Sequence, residues 1–208
     1  MNKKIAQLLL EIKAVSLVDE NNLFTWASGI QSPIYCDNRL TMSYPNVRDE
    51  IAEGFATRIR DQFADVDIIA GTATAGIPHA AWVAQKLGKP MVYVRGSAKG
   101  HGKGNQVEGV LPQGAKVVLI EDLISTGGSS LQAVEALQEA GAQVVKVLAI
   151  FSYNFDKAEK RFADAHVPYE TLTDYQTLLP IAVENGVVAP DKEELLLKWC
   201  KNPEMFIK

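Results

Sequence analysis

Cysteine is scarce in this chain. Cys36 and Cys200 are the only two among 208 residues, and no Cys-x-x-Cys spacing occurs. That excludes a disulfide framework and a thiolate zinc site, and it predicts a reducing, cytoplasmic setting. Positive charge is not in surplus either: 21 lysines and arginines stand against 25 aspartates and glutamates, a net charge of −4. This is the wrong sign for a general nucleic-acid binder, so no nucleic-acid partner is expected. No apolar run reaches the roughly 20 residues of a membrane-spanning helix, and no membrane partner is expected. Glu11 and Lys13 interrupt the run Leu8-Leu9-Leu10 too early for a secretory leader. Internal repeats and low-complexity segments are missing. So are two familiar phosphate loops, the Gly-x-x-x-x-Gly-Lys-Ser/Thr loop and the Gly-x-Gly-x-x-Gly fingerprint. A chain of this length with this apolar content reads as one globular domain.

What is present centres on residues 117–130. Val117-Val118-Leu119-Ile120 runs into Glu121-Asp122, then through Leu123-Ile124 into Ser125-Thr126-Gly127-Gly128-Ser129-Ser130. Leu131, Val134 and Leu137 then follow at helical spacing. The order reads as a buried parallel strand, a ligand loop and a helix N-terminus. Ser125 to Ser129 offer closely spaced N–H groups and hydroxyls, and glycine lets a backbone approach an anion. Unpaired N–H groups of the helix start point at the same place, which makes a cradle for a monophosphate. Glu121 and Asp122, at the carboxyl end of the strand, cannot hold phosphate. They can accept hydrogen bonds from two vicinal hydroxyls, so the stretch describes a ribose 5-phosphate site.

The remaining elements alternate. Helices are predicted at 3–14, Val15–Asn21, Tyr44–Phe63, Ile77–Leu87 (stopped by Gly88), Asp156–Ala165, Tyr175–Val183 and Asp191–Cys200. Strands are predicted at Asp67–Ala70, Met91–Val94, Val107–Val110, Val144–Ile150 and Tyr169–Leu172. Phe24-Thr25-Trp26 and Ile34-Tyr35-Cys36 read as two short strands with a Ser-Gly and Ser-Pro turn between them. They form a small hood before the core. Strands alternating with helices imply an α/β fold with a parallel sheet, too few in strands for a (β/α)8 barrel. A second small-residue loop, Gly71 to Gly76, lies at the end of a strand, where such sheets bind ligands. Gly96 to Asn105, rich in glycine, reads as a flexible lid carrying Lys99, His101 and Lys103. His79 reads as a helix-face residue and His166 as a surface one.

The acid-acid stretch through Ser-Thr-Gly-Gly-Ser closely resembles the phosphoribosyl pyrophosphate (PRPP) signature of the type I phosphoribosyltransferases. Two more stretches resemble the orotate phosphoribosyltransferases within that family. One is Arg95-x-x-x-Lys99-x-His101-Gly102; the other is Phe24-Thr25-x-x-Ser28-Gly29-x-x-Ser32-Pro33-x-Tyr35. The resemblance runs from the first helix to Val144–Ile150. It implies a type I phosphoribosyltransferase fold: a central, mostly parallel sheet flanked by helices, with an N-terminal hood. A single domain over 1–208 follows, with the hood mainly 1–43 plus C-terminal elements and the core about 44–172. PRPP would be bound by Arg95, Lys99, His101, Lys103, Glu121, Asp122, Leu123, Ile124, Ser125, Thr126, Gly127, Gly128 and Ser129. Lys99 and His101 would be catalytic. Thr72, Ala73, Thr74 and Ala75 would form the pyrophosphate loop. Tyr35, Cys36 and Ser125 would meet orotate; that Arg39 pairs with its carboxylate is an inference from charge and place alone. Mg²⁺, held mainly by PRPP, is the expected cofactor, and a homodimer sharing the 96–105 loop is the expected assembly. The activity implied is transfer of phosphoribose to orotate in pyrimidine synthesis. A purine phosphoribosyltransferase and a non-catalytic PRPP-sensing regulator are the alternatives.

Overall fold

The structure, a computed structural model, describes residues 2–26, 28–97 and 106–206. Along the chain lie α1 (Asn2–Glu11), β1 (Val15–Leu17), β2 (Phe24–Thr25), β3 (Gln31–Ser32), β4 (Ile34–Cys36), α2 (Pro45–Gln62), β5 (Ile68–Thr72), α3 (Gly76–Leu87) and β6 (Met91–Val94). Then come β7 (Val107–Glu108), β8 (Lys116–Ile124), α4 (Gly128–Glu139), β9 (Gln143–Ser152), α5 (Asp156–Asp164), β10 (Tyr169–Asp174), α6 (Tyr175–Glu184) and α7 (Pro190–Lys201). Among the described residues one six-stranded sheet has the order β10-β9-β8-β5-β6-β7, and only the β6–β7 pair is antiparallel.

Alternation along the strands divides the core between the two faces. Val118, Ile120, Leu148 and Ile150 pack with α1, α2, α3 and α6. Val117, Leu119, Val147 and Ala149 pack with α4 and α5. Strands buried on both faces are the reason the sequence reads as unbroken apolar runs there. Gly88 stops α3 in the left-handed conformation, φ 61°, as expected.

Four expectations are corrected. Val15–Asn21 is not a helix: Val15–Leu17 is a strand paired with Ile34–Cys36, and only Glu20–Asn22 makes a 3₁₀ turn. A distant strand partner overrides local helical spacing here. The two hood strands do not pair with each other, since Phe24–Thr25 pairs with Gln31–Ser32 instead. Strand β7 ends at Glu108. Strand β8 carries the acids, as expected, but does not end with them and runs on to Ile124.

The hood rests on an aromatic cluster drawn from both ends of the chain. Trp26 lies 4.7 Å from Tyr153 and 5.7 Å from Trp199, ring centre to ring centre. Trp199, on α7, donates its indole N–H to the Gln31 carbonyl at 2.9 Å.

Candidate active site

Two βα elbows stand side by side at the carboxyl ends of β5 and β8. In the β8–α4 elbow, Glu121 turns to the face covered by α4, where it meets Ser130. Strict alternation does not continue past the acids, since Leu123 packs with the cluster of Ile120 and Ile124 with that of Leu119. Glu121 is 4 % exposed. Its Oε1 accepts the Asp122 N–H at 3.0 Å and its Oε2 accepts the Ser130 hydroxyl at 3.1 Å. Burial first, and the Asp122 charge second, push the Glu121 carboxyl well above the usual carboxylate range. Asp122 is half-buried. The two acids stay close enough for the Asp122 charge and side chain to act on Glu121.

The loop then turns on Gly127, which has φ +75°. A side chain there would meet the Phe162 ring at 2.9 Å, so glycine is required twice over. Arg161 of α5 donates from Nη1 to the Thr126 carbonyl at 3.2 Å and fixes the turn from behind. First-turn N–H groups of α4, at Gly128 and Ser129, have no acceptor within the helix and sit beside Ser125 and Thr126. Such an arrangement, at the positive end of a helix, is able to receive an anion.

The β5–α3 elbow has a different construction. The Ala73–Thr74 peptide is cis. Gly76 opens α3 so close to β8 that a Cβ would collide with the Ile120 carbonyl oxygen. No side chain caps this helix. The Thr72 hydroxyl is buried without a hydrogen-bond partner. Thr72 and Ala73 share a cavity of about 40 Å³ with Arg95, Gly96, Ser129 and Gln132, so this elbow, Arg95 and the cradle meet at one point. Thr74 is exposed and Ala75 is buried.

Arg95 follows β6. Its N–H donates to the Gln106 carbonyl at 2.9 Å, and its Nη1 lies 3.6 Å from Glu108. These contacts join the two stems of the 96–105 segment. Lys99, His101 and Lys103 lie outside the described residues.

The hood covers a cleft of about 680 Å³ lined by Phe24, Trp26 and Tyr35 above and Leu123, Ser125 and Ser129 below. Phe24 backs Tyr35 at 5.6 Å between ring centres. Burial raises the Tyr35 phenol, with the charges of Asp37 and Asp122 adding to the effect and that of Arg39 opposing it. Arg39 itself is exposed. Cys36 turns away from the cleft into the core, 2 % exposed, where burial pushes its thiol up. Its N–H donates to the Tyr153 hydroxyl at 3.0 Å. Of the three residues expected to meet the base, Tyr35 and Ser125 line the cleft and Cys36 lies behind it.

Sequence reading missed Asn38, Thr41 and Arg161, and it left His79 on a helix face. His79 is 1 % exposed and burial lowers its pKa to about 4. Its position between Ile77 and Ala80 on an apolar helix face was the available signal. No sequence signal marks Arg161.

Known proteins agree with this architecture. The phosphoribosyl transferase domain model matches residues 43–185. The orotate phosphoribosyltransferase of Fusobacterium nucleatum is 57% identical over 203 residues, covering 97% of this chain and 96% of its own. That of Enterococcus faecalis is 58% identical over 206 residues, covering 99% and 98%. Among solved structures, the orotate phosphoribosyltransferase from Aeropyrum pernix aligns with a TM-score of 0.77 at 29% identity, covering 89% of this chain and 99% of that one. The elbow, sheet and match together define a phosphoribosyltransferase. The chain belongs to that family and, within it, to the orotate phosphoribosyltransferases.

Proposed function

We propose that PRPP lies across the two elbows and orotate beneath the hood, and that the protein joins them to give orotidine 5′-monophosphate and pyrophosphate. The observation that carries this reading is the α4 cradle beside half-buried Asp122, roofed by Tyr35. The 5-phosphate takes the first-turn N–H groups of Gly128 and Ser129 with the hydroxyls of Ser125 and Thr126, along a backbone shaped by Gly127 and flanked by Leu123 and Ile124. Asp122 accepts from the ribose hydroxyls, with Glu121 beside it completing the acceptor set. Tyr35 stacks on the flat base, Cys36 holds that strand in place, and Ser125 reaches the base from below.

The pyrophosphate lies against Thr72 to Ala75. This loop carries no charge, so its cations come from elsewhere: Arg95 at the shared cavity, and Lys99, His101 and Lys103 of the segment that follows it. The base nitrogen attacks C1 with inversion as pyrophosphate leaves. Orotate is already anionic, so the protein's contribution is orientation and stabilisation of charge on the departing group, Lys99 and His101 acting there.

The Asp122 carboxylate and the partnerless Thr72 hydroxyl are hard oxygen donors, which suits Mg²⁺ held mainly by PRPP. When bound, the ion supplies charge neutralisation on the pyrophosphate oxygens. The same reading makes the protein one domain, acting in the cytoplasm as a homodimer in which the 96–105 segment serves the neighbouring site. Two unpaired cysteines support the reducing compartment. No described helix is long and apolar enough to cross a membrane.

Pyrophosphate release is the direct test, with PRPP, Mg²⁺ and, in turn, orotate, adenine, xanthine and uracil. Release is expected with orotate alone. Release with adenine or xanthine but not orotate would replace the hood assignment with a purine specificity.

A further inference from the structure

The 3₁₀ turn Asn38–Ser43 joins the hood to the core, and two of its polar side chains, Asn38 and Thr41, are buried. Asn38 is 1 % exposed and Thr41 is fully buried. Asn38 Nδ2 donates to the Asp122 carbonyl at 3.2 Å, and its Oδ1 accepts the Cys36 thiol at 3.6 Å. Only this amide orientation works, because the flipped one would set Oδ1 against a carbonyl oxygen. Thr41 donates its hydroxyl proton to the Asn38 carbonyl at 2.6 Å. Its one proton is spent there, so toward His79 Nε2, 3.3 Å away, the hydroxyl accepts. His79 is therefore protonated on Nε2, and its Nδ1 is left buried without a partner. His79 lies on α3, the helix that opens out of the uncharged elbow.

The connections converge on one side chain. On one side of Asn38 is the strand that holds Tyr35; on the other is the peptide of the acid at the cleft. Through Thr41 and His79 the same turn is tied to the second elbow. A buried amide that donates to one element and accepts from another fixes separation and angle more strictly than apolar packing does.

We propose that Asn38 is a positioning residue for the transfer, setting the height of the hood over Asp122 so that base and ribose meet in register. The inference rests on the placement of PRPP and orotate given above. A misplacement near 1 Å in such a site costs on the order of 100-fold in rate. Losing the amide loosens the alignment of two substrates while leaving each one's own contacts intact.

The test compares wild type with Asn38→Ala and Thr41→Val. Each is measured for thermal melting, steady-state kcat and KM, and calorimetric binding of orotate with and without ribose 5-phosphate. In wild type, ribose 5-phosphate is expected to tighten orotate binding by about fivefold or more. In Asn38→Ala that coupling should fall to near one while each ligand alone binds within about threefold of wild type, and kcat should drop at least about tenfold. Thr41→Val should lose part of the coupling. Asn38→Asp, equal in size, replaces the alanine variant if that one fails to fold, with the same expectation. Coupling and kcat preserved in the variants, or a wild type that binds both ligands without coupling, overturns the proposal. A wild type that does not bind orotate overturns the underlying site assignment instead.

Discussion

The β5–α3 and β8–α4 elbows are neighbours on one sheet, and both put small residues where a strand meets a helix. The β8–α4 elbow brings its own chemistry: hydroxyls at Ser125, Thr126 and Ser129, two acids, and a glycine held left-handed by φ +75°. The β5–α3 elbow brings shape alone. Its Gly76 lets α3 lie against the Ile120 carbonyl, and its only buried polar side-chain atom, the Thr72 hydroxyl, has no partner. An elbow that lacks charge can still serve an anion if cations arrive from other segments. One that carries acids must be folded so that they do not repel the same anion. The first arrangement makes activity depend on residues outside the elbow; the second makes stability depend on how the acids are buried.

That contrast can be broken most sharply at the imported cations. If its charge acts on the departing group, as proposed, Lys99→Ala should lower kcat by about 100-fold or more with PRPP affinity changed only a few-fold. Rapid-quench and binding measurements separate the two, and an equal loss in both would make Lys99 an ordinary ligand contact. Next comes shape. Gly76→Ala should destabilise the fold by about 3 kcal/mol, because the new Cβ meets backbone that cannot give way. Gly128→Ala should cost under about 1 kcal/mol, since its Cβ would sit 3.4 Å from the end of the Arg161 side chain. Equal melting temperatures for the two variants would erase the proposed difference between the elbows. The smallest effect concerns the buried acid. The folded-state pKa of Glu121 is raised, so the folded protein holds its proton more tightly than the unfolded chain. Its contribution is most favourable below the unfolded pKa and is lost as pH rises through the folded one. Glu121→Gln should therefore melt higher than wild type near pH 7, and the two should converge as pH falls to about 4. Activity should fall roughly tenfold over the same neutral range, because an acceptor has become half donor.

The β8–α4 elbow was legible because its signals are local. A run of β-formers, a glycine pair and a helical apolar spacing lie within twenty-one residues, 117–137. The hood was less legible. Strands of two or three residues carry little periodicity, and Val15–Leu17 finds its partner only at Ile34–Cys36. Val15, Ile34 and Cys36 are buried in one cluster with Tyr153 and Trp199, which lie far along the chain. Asn38, Thr41 and His79 were the least legible, because a buried hydrogen-bonded chain has no spacing of its own.

The tie between Trp199 and the Gln31 carbonyl has a consequence for biosynthesis. The roof of the base site needs a residue translated near the end of the chain to hold a segment translated near its start. A ribosome-bound intermediate ending after α6 already holds both elbows but has no finished ceiling. Such an intermediate is expected to capture the sugar phosphate before it can recognise the base, so the growing polypeptide acquires selectivity after phosphate binding.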